Sequence, residues 1–402
     1  MLKKFVLVLN CGSSSLKCSI INIANKKVLI SIVAERLFLE NSEIKWTFNN
    51  ELKYKKVFLT SINHSEALIF ILTRIKLKYK KILMNIVGVG HRVVHGGYKL
   101  RNSMIVNDKI ISLIKKSSIF APLHNPLNII GIKVIIKFFP HLSQKNVVVF
   151  DTSFHNSIPK IAYLYAIPYT FYKKYNIRRY GAHGISHNYV ALKSAKILKK
   201  SIKKLNIISC HLGNGSSVTA IKNGKSIDTS MGLTPLEGLV MGTRSGDLDP
   251  SIIFFLYSNL GLKIKNIKKI LMKKSGFLGI SKKYSDCREL EKSYLTNKYS
   301  KLAIDIFVHR LAKYISSYTS LMENRLDAIV FTGGIGENSS LIRKLVIKKL
   351  GLIGFYLEKS LNKSNFIKKN YFLHTSMSKP ILVIPTNEEL FIAKETIKLL
   401  NI

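Results

Sequence analysis

The chain alternates short apolar runs with longer segments in which apolar residues recur every three or four positions. Runs such as Phe5–Leu9 and Leu205–Cys210 have the length of buried strands. The segment from His64 to Lys78 has helical spacing instead, and it predicts a helix that begins near Asn63 or Ser65. Because strand-like and helix-like segments alternate along the chain, the pattern predicts an α/β fold.

The same spacing predicts the remaining elements. Strands are expected within 3–36, 86–94, 147–150, 205–230, 328–331 and 381–384. Helices are expected over 127–139, 185–198, 251–273, 296–324, 340–350 and 388–399. Pro122 and Pro126 bracket a predicted loop before the second helix, and glycines mark another loop over 233–250.

Two loops about half the chain apart have similar sequences. Leu9–Ser15 and His211–Ser217 each follow an apolar run, and each precedes an alternating stretch, a turn pair and a further strand-like stretch. A strand that turns through glycine and serine presents small side chains and backbone N–H groups, which suit phosphate oxygens. The repeat therefore predicts a duplicated fold with a phosphoryl chain held between its halves.

Composition limits the class of protein. A chain of 402 residues predicts two or three domains, and 47% hydrophobic residues can fill their cores. No apolar run reaches the ~18 residues of a membrane helix, and the N-terminal run is shorter than the ~7–15 residues of a signal peptide core. Cys11, Cys18, Cys210 and Cys287 have no metal-site spacing. We expect a cytoplasmic protein with reduced thiols and no membrane partner.

The formal net charge of +42 raises the question of nucleic acid binding. Lysines greatly outnumber the 11 arginines, and they are dispersed along the chain. This pattern favours a solvated basic surface without a specific nucleic acid partner. A non-enzymatic, basic nucleic-acid-binding protein stays as an alternative of a different class, and it predicts binding that weakens steeply with salt.

Candidate site residues of the first half lie at predicted strand ends. Asn10 and Lys17 flank the first Gly/Ser loop, and they can contact phosphoryl oxygens. Arg92 ends a buried strand, where its planar fork suits a carboxylate or phosphate, although a structural ion pair is the competing interpretation. Asp151 ends another strand and can orient a nucleophile, accept a proton or lie near Mg²⁺; a turn residue is its alternative.

The second half contains glycine-flanked cations and a further turn. His183 lies in a glycine-flanked turn after an arginine pair, and a purely structural turn is the alternative interpretation. Arg244 lies in the loop 233–250, for which a solvated loop is the alternative. The stretch 332–338 follows a strand and opens a helix, a context that favours a nucleotide contact. Glu388 begins the last helix. Its carboxylate is interpreted either as a metal ligand or as a favourable partner of the helix dipole. Five of the 11 arginines fall in such motif-like stretches, in a chain where lysine is the default cation, which suggests that the planar guanidinium matters there; they are Arg92, Arg178, Arg179, Arg244 and Arg288.

Together these motifs resemble the acetate kinase family, in order and spacing along the whole chain. The segments that carry the resemblance are 9–17, 90–97, 149–152, 211–217, 238–246, 331–338 and 385–389. The resemblance implies the actin-like, sugar-kinase-type fold, with two ribonuclease-H-like domains that flank a central cleft. The implied domains are 1–150 with 385–402, and 151–384. The implied reaction is ATP + acetate ⇌ ADP + acetyl phosphate with Mg²⁺, or Mn²⁺ in its place, in a homodimer.

The resemblance also implies roles for individual residues. Asn10 and Glu388 correspond to Mg²⁺ positions, Arg92 to the acetate-binding residue, and Asp151 to the catalytic acidic residue. His183 and Arg244 correspond to groups that stabilise the transition state. The implied ATP contacts are Lys17, His211, Leu212, Gly213, Asn214, Gly215, Asp286, Cys287, Arg288, Gly334, Ile335, Gly336, Glu337 and Asn338.

The chemistry agrees with these implied roles. Acetate is already ionised at pH 7, so no strong base is needed, and Asp151 is expected to orient a group or to bind metal through water. We expect direct in-line transfer. One departure from the family is Ala182, where many members have Phe; the missing ring could widen an acyl pocket expected from Val94, Leu123 and Pro235. A propionate or other short-chain acyl kinase is therefore the alternative within the family, and an actin-like ATPase that acts as a chaperone or filament is a further one.

Overall fold

A computed structural model describes residues 4–48, 55–363 and 371–402. Its internal contacts divide the chain into two compact units. The first unit comprises Met1–Ser153 and Asn387–Ile402, and the second comprises Phe154–Thr386. In the described part of the chain, no helix has both the length and the apolar character that a bilayer span requires.

The first unit is built on an eight-stranded sheet. Its strands are β1 (Phe5–Cys11), β2 (Ser15–Asn22), β3 (Val28–Glu35), β4 (Ser42–Phe48), β5 (Lys55–Leu59), β6 (Ile86–Val93), β7 (Met104–Ile105) and β8 (Asn146–Phe150). Their order across the sheet is β5-β4-β3-β2-β1-β6-β8-β7. Strands β1 to β5 form an antiparallel meander, whereas β6 runs parallel to both β1 and β8.

Helices cover this sheet. They are α1 (His64–Lys78), α2 (Lys80–Met84), α3 (Asp108–Lys116), α4 (Asn125–Phe138) and α15 (Glu388–Leu400). The predicted bounds of α1 are confirmed, and Asn63 forms a capping box with Glu66. The last helix returns to this unit and packs closely on β6. A Cβ at Gly90 would lie 2.6 Å from the Ile392 side chain, so glycine permits the close approach.

The second unit contains a five-stranded sheet. Its strands are β9 (Ile207–Leu212), β10 (Ser216–Lys222), β11 (Lys225–Thr229), β12 (Ala328–Thr332) and β13 (Ile381–Val383), in the order β11-β10-β9-β12-β13. Its helices are α5 (Lys160–Tyr163), α6 (Tyr169–Tyr175), α7 (Gly184–Ile197), α8 (Ser251–Ser258), α9 (Ile264–Lys269), α10 (Gly276–Ser281), α11 (Cys287–Lys292), α12 (Lys298–Ser320), α13 (Gly333–Asn338) and α14 (Ser340–Lys348). Apolar residues of α12 and of β9, β10 and β12 form its largest core cluster.

Five strands of the first sheet, in the order β3-β2-β1-β6-β8, have the topology of the second sheet, which confirms the predicted duplication. In the first unit, β1 and β2 form a hairpin, β3 extends it, and β6 and β8 continue on the other side in parallel. In the second unit, β9, β10 and β11 make the same antiparallel arrangement, and β12 and β13 continue it in parallel. Each Gly/Ser loop joins the first two strands of its unit.

Two predictions about elements are wrong, and a third is confirmed. The helix expected over 251–273 is broken, because Gly261 adopts φ +64° between α8 and α9 and a π-helical turn follows over Ile270–Lys274. Pro126 does not end a loop; it lies in the first turn of α4, where its missing N–H costs no hydrogen bond. The stretch 332–338 follows β12 and opens a helix, as predicted, because Gly333–Asn338 form α13.

Candidate active site

A charged cluster lies in the first unit, where β1, β6 and β8 end and α15 begins. The Arg92 guanidinium donates to both Asp151 carboxylate oxygens, from Nε at 3.0 Å and from Nη2 at 2.5 Å. Its Nη1 donates to Asn10 Oδ1 at 3.1 Å, and its Nε lies 3.8 Å from Glu388 Oε2. Three other predicted site residues therefore surround the Arg92 guanidinium, and Asp151 is almost fully buried.

The neighbouring charges shift pKa values within this cluster. Burial alone would lower the pKa of Arg92, but Asp151 and Glu388 raise it above its ordinary value, so the guanidinium stays charged. Burial raises the pKa of Glu388; Arg92 opposes this shift and Asp151 adds to it. Lys17, which faces Asn10 across the β1–β2 ladder, also lowers the pKa of Glu388. Additional positive charge near Glu388 would favour its carboxylate form.

Buried amides hold the strand ends that carry the cluster. Asn128 of α4 accepts a hydrogen bond from the Val94 N–H at 3.2 Å and donates to the Cys11 carbonyl at 2.9 Å. At the start of α1, the His64 ring lies 2.8 Å from the Gly12 carbonyl through Nε2. Because these groups are buried and bonded, the first Gly/Ser loop has a fixed position relative to Arg92 within this unit.

In the second unit, two candidate donors lie against the second Gly/Ser loop. A Cβ added to Gly215 would lie 3.3 Å from Arg244 Nη2 and 3.4 Å from His183 Nε2. The His183 ring stacks on His211, with centroids 4.2 Å apart. His183 has φ +56°, a left-handed conformation that a non-glycine residue keeps only when its surroundings hold it there. The absence of a side chain at Gly215 leaves both donors accessible to a ligand at this loop.

Arg244 is a partly buried cation. Its Nη1 donates to the Pro235 carbonyl at 2.7 Å, and burial lowers its pKa with no offset from any carboxylate of the described residues. The loop 233–250 that carries it is itself anchored: Arg179 pairs with Glu237 at 2.7 Å, and Asp247 accepts from the loop main chain at 2.7 Å. A fixed, desolvated guanidinium without a carboxylate partner favours an anionic ligand.

A cavity of about 770 Å³ lies in the second unit beside the same loop. It is lined by Gly213, Asn214, Ser285, Asp286, Cys287, Arg288, Glu291, Gly334, Ile335, Asn338 and Ser339. A Cβ at Gly334 would meet no atom within 4 Å, so the start of α13 is open to a ligand. Backbone N–H groups at a helix start suit phosphate oxygens.

Other predicted nucleotide residues support the walls of the cavity. The Glu337 carboxylate faces inward and accepts from the Gly333 N–H at 2.9 Å and from the Thr386 N–H at 3.1 Å. Burial raises the pKa of Glu337, and those N–H donors oppose the shift. Asn338 Nδ2 donates to the Gly334 carbonyl at 2.8 Å. Glu337 therefore fixes the loop that follows β12.

At the opposite wall, Asp286 begins α11 and pairs with Arg288. The Arg288 Nη2 lies 2.6 Å from Asp286 Oδ2, and both side chains are exposed. Cys287 between them is buried, and its thiol points to Glu291 Oε1 at 3.4 Å. Of these three consecutive residues, Asp286 and Arg288 therefore offer their side chains to a ligand, and Cys287 does not.

The structure thus places the predicted site residues in three groups. The first group is Asn10, Lys17, Arg92, Asp151 and Glu388 in the first unit. The second is His183, His211, Gly215 and Arg244 in the second unit. The third lines the cavity: Gly213, Asn214, Asp286, Cys287, Arg288, Gly334, Ile335 and Asn338. Leu212, Gly336 and Glu337 belong to the same segments but do not line it.

Sequence reasoning did not assign several residues that the structure places at the site. His187 and Ser217 contact His183 or its hydrogen-bond partner, and Arg179 and Glu237 anchor the Arg244 loop. One signal was present in the sequence: His187 follows His183 by four residues, a spacing that puts both on one helix face. The Arg179–Glu237 pair spans 58 residues and left no such signal.

The first cluster has the donor chemistry of a magnesium site. Among the described residues, no group of three or more His, Cys, Asp or Glu side chains is arranged to hold a metal. Mg²⁺ is often held by one or two carboxylates with waters and substrate phosphates, rather than by a complete protein cage. The oxygens of Asn10 and Glu388, and the response of Glu388 to positive charge, fit such an ion.

Ala182 forms a small buried cluster with Met231 and Met241. Methionine is flexible enough to fill irregular gaps, so these two side chains occupy space next to the short alanine. The predicted widening of the acyl pocket stays a prediction.

Comparison with known proteins agrees with this geometry. The sequence model of the Acetokinase family matches residues 5–394. The acetate kinase of Buchnera aphidicola subsp. Acyrthosiphon pisum is 56% identical over 400 residues, which cover 100% of this chain and 98% of the relative.

Two solved structures are similar throughout. A propionate kinase from Francisella tularensis subsp. tularensis SCHU S4 has a TM-score of 0.92 at 45% identity, covering 98% of this chain and 100% of that one. The acetate kinase of Porphyromonas gingivalis has a TM-score of 0.89 at 39% identity, covering 99% and 100%. The predicted actin-like fold of two ribonuclease-H-like halves is confirmed. The chain belongs to the acetokinase family.

Proposed function

We propose that the protein catalyses the reversible, Mg²⁺-dependent transfer of the ATP γ-phosphoryl group to acetate, giving acetyl phosphate and ADP. Membership of the acetokinase family makes it a kinase with a carboxyl group as the acceptor. One observation carries the proposal. The loop that lines the cavity with Gly213 and Asn214 also places Gly215 against Arg244 and His183. The phosphate end of a bound nucleotide would therefore meet both donors.

The reaction needs positioning and charge neutralisation more than proton transfer. A carboxylate oxygen of acetate forms a bond to the γ-phosphorus, the bond from that phosphorus to the bridging oxygen of ADP breaks, and ADP leaves with the electron pair. Acetate is ionised at pH 7, so no proton must be removed. Arg244 and His183 are proposed to donate to the phosphoryl oxygens, where one such donor is worth about 10²–10³ in rate.

In the first unit, Arg92 is proposed to bind the acetate carboxylate. Three of its N–H groups already bond to Asp151 and Asn10, and a guanidinium has five, so two remain for a substrate. Asp151 is proposed to orient Arg92 and to supply the negative charge that keeps it in place. The Asp151 carboxylate is buried and accepts two bonds from Arg92, which supports an orienting role over that of a base.

Asn10 and Glu388 are proposed to hold Mg²⁺, directly or through waters, with Lys17 nearby as a phosphate contact. The ion would neutralise charge on the transferring phosphoryl group. The remaining predicted nucleotide contacts, from His211 to Gly215, from Asp286 to Arg288, and from Gly334 to Asn338, are proposed to hold ATP in the cavity.

Three further properties are proposed together with the activity: the domain division, self-association and the cellular location. The domain division 1–150 with 385–402, and 151–384, is supported by the two compact units. Self-association into a homodimer is supported by three exposed aromatic side chains on α8, Phe254, Phe255 and Tyr257. A cytoplasmic location is supported by the four cysteines, all of which are free and buried.

Propionate is a second candidate acceptor. The similarity to the propionate kinase of known structure, together with Ala182 in place of a larger ring, favours it. A single assay separates the candidates. The purified full-length protein is incubated with ATP, Mg²⁺ and hydroxylamine, with acetate, propionate or no acid, and acyl hydroxamate and ADP are both measured.

We expect hydroxamate with acetate and less with propionate, and none when EDTA removes divalent ions. A kcat/KM for propionate above that for acetate would make propionate the acceptor. ADP release without any acid would instead indicate an actin-like ATPase, and the absence of both products would contradict a kinase.

A further inference from the structure

A chain of alternating hydroxyl and imidazole groups leads from the core of the second unit to His183. We call it the hydroxyl–imidazole chain, and its members are Ser209, His187, Ser217 and His183. Ser209 Oγ lies 2.9 Å from His187 Nδ1, His187 Nε2 lies 2.8 Å from Ser217 Oγ, and Ser217 Oγ lies 3.0 Å from His183 Nδ1. Ser209, His187 and Ser217 are fully buried.

The direction of every hydrogen bond in this chain follows from counting hydrogens. Each serine has one O–H, and a neutral histidine has one N–H. Burial lowers the pKa of His187 far below its ordinary value, and the neighbouring His155 and His211 add to the shift, so His187 is neutral at pH 7. In the described part of the chain, His187 Nδ1 is the one acceptor within reach of the Ser209 hydroxyl.

One arrangement gives an acceptor to each hydrogen of Ser209, His187 and Ser217. Ser209 donates to His187 Nδ1, which places the His187 proton on Nε2; that N–H donates to Ser217, and the Ser217 hydroxyl donates to His183 Nδ1. The reverse direction would leave the buried Ser209 hydroxyl without an acceptor. Two donors directed at Ser217 would leave its own hydrogen without one. An unsatisfied buried donor costs more than an unfilled lone pair on an oxygen that is already bonded.

We propose that the hydroxyl–imidazole chain fixes His183 in the tautomer with its proton on Nε2. Ser209, His187 and Ser217 are then positioning residues, which act on the reaction through His183. The inference rests on the proposed function for its catalytic consequence only, since the tautomer can be measured without any substrate.

The tautomer matters because the ring of His183 is oriented with Nε2 toward the second Gly/Ser loop. Nε2 is the ring atom that lies against Gly215, beside the Arg244 guanidinium. With the proton on Nε2, both groups present N–H donors to the same place, as an anionic phosphoryl group requires. With the proton on Nδ1, a lone pair would face that anion and repel it. The left-handed backbone of His183 and its stacking on His211 keep the ring in this orientation.

The first test is spectroscopic and uses the unmodified protein. Full-length protein labelled with ¹⁵N at histidine is recorded at pH 7.5, and the His183 ring signals are assigned by their loss in His183→Gln. We expect a protonated, pyrrole-type Nε2 and an unprotonated, pyridine-type Nδ1. A protonated Nδ1 with an unprotonated Nε2 would overturn the proposal, whatever the activity of the protein.

The second test removes the hydroxyl that contacts His183. In Ser217→Ala we expect Nε2 protonation to become partial and kcat to fall about tenfold, the worth of roughly one hydrogen bond, while the KM for ATP stays within about threefold. Ser217→Thr keeps a hydroxyl and should restore both the Nε2 protonation of His183 and kcat. Ser194→Ala is the matched control, because it removes a buried serine hydroxyl of α7 that has no hydrogen-bond partner among the described residues.

A double-mutant cycle separates a tautomer effect from general destabilisation. A glutamine at 183 donates from its amide without any choice of tautomer, so Ser217→Ala should have little further effect in a His183→Gln background. If Ser217→Ala lowers kcat equally in both backgrounds, or leaves the tautomer unchanged, the chain has only a structural role. If the protein proves to have no kinase activity, the spectroscopic test still decides which ring nitrogen of His183 carries the proton, because it needs no substrate.

Discussion

The two Gly/Ser hairpins, β1–β2 and β9–β10, have the same topology but different surroundings. In the first, the closing pair is Cys11 and Leu16, and the Gly12 N–H donates to the Ser15 carbonyl at 2.8 Å. In the second, the closing pair is Leu212 and Ser216, one residue tighter, and the Ser216 hydroxyl replaces the main chain as partner of Gly213. Both units therefore have a glycine-containing hairpin loop, but the loops differ in length by one residue and in the group that accepts the glycine N–H.

The charges around the hairpins differ more than their backbones. Beside the first, Arg92 is already bonded to a buried carboxylate, and another carboxylate is near. Beside the second, Arg244 has no carboxylate partner among the described residues, and its Nη1 donates to the Pro235 carbonyl. A cation compensated by carboxylates suits a small carboxylate together with a metal ion, whereas an uncompensated cation suits a group with several negative oxygens.

The strongest test of this difference is Arg244→Ala. Since Arg244 is proposed to act on the transferring group, we expect kcat to fall about 10²–10³-fold with little change in the KM for ATP. Steady-state kinetics with acetate in excess measure the effect, and Arg74→Ala, at the surface of α1, is the control. An unchanged kcat would contradict the role of Arg244.

In the first unit, Arg92→Lys keeps the charge but removes the planar fork. The bidentate contact with Asp151 is then lost together with the proposed contact to acetate, and we expect kcat/KM for acetate to fall about 10²-fold. Activity is measured at varied acetate and, separately, at varied ATP. A rise in the KM for ATP with no change for acetate would place Arg92 on the nucleotide instead.

Acid should destabilise the two units through buried imidazoles. Burial lowers the pKa of His91 to about 4, and its bond to Asn146 only partly opposes this shift. Between pH 6.5 and 4 the unfolded chain therefore binds a proton that the folded chain does not, so stability rises with pH across this window and falls as the pH is lowered. His91 alone should cost about 2 kcal/mol by pH 5.

Urea unfolding at pH 7.5, 6 and 5 measures this dependence. His91→Gln should flatten it, and His187→Gln should do the same for the second unit, where the pKa of His187 is lowered in the same direction. His141→Gln, at the surface, is the control. The same slope in wild type and His91→Gln would show that His91 does not carry the effect.

The smallest expected effects come from matched glycine variants of the two loops. A Cβ at Gly215 would press on Arg244 and His183, and we expect Gly215→Ala to lower kcat about tenfold, since small displacements of catalytic groups are costly. A Cβ at Gly12 would meet the Ser15 hydroxyl at 2.8 Å, which can rotate away, so Gly12→Ala should change kcat by no more than about threefold.

Neither glycine has a positive φ, so thermal unfolding temperatures should change little in both variants. An unchanged unfolding temperature together with a lowered kcat would show that the substitution acts on the site and not on folding. Equal losses of kcat in Gly12→Ala and Gly215→Ala would mean that the two loops act on the reaction in the same way.

Several elements were predictable because their signals are local. The bounds of α1 follow from helical spacing and from the Asn63 cap, and both Gly/Ser hairpins follow from apolar runs that end in small residues. Strands β4 and β5 were not predicted. They carry Glu43, Lys45 and Lys56 at the edge of the sheet, where charged side chains prevent unwanted pairing but also hide the strand pattern.

The sequence indicated which residues are candidates for the site, but it indicated only part of the contacts that they make. Arg92 and Asp151 are conspicuous at strand ends, but the sequence left open whether Arg92 forms an ion pair or binds a ligand. The structure shows the ion pair, with N–H groups remaining for a ligand. Glu337 is expected to contact ATP; its carboxylate accepts hydrogen bonds from the main chain at Gly333 and Thr386, and its contact with ATP stays a prediction.

The sequence by itself determined the class of fold, the duplication and the family, and it supplied the candidate site residues, because strand spacing, turn residues and motif order are properties of short segments. Only the tertiary structure decided which side chains meet. The bonds of Ser217 to His183 and His187, and the contact of Arg179 with Glu237, join residues 30 to 58 positions apart. Such contacts depend on how strands and helices pack, and the direction of each hydrogen bond depends on what else is buried around it.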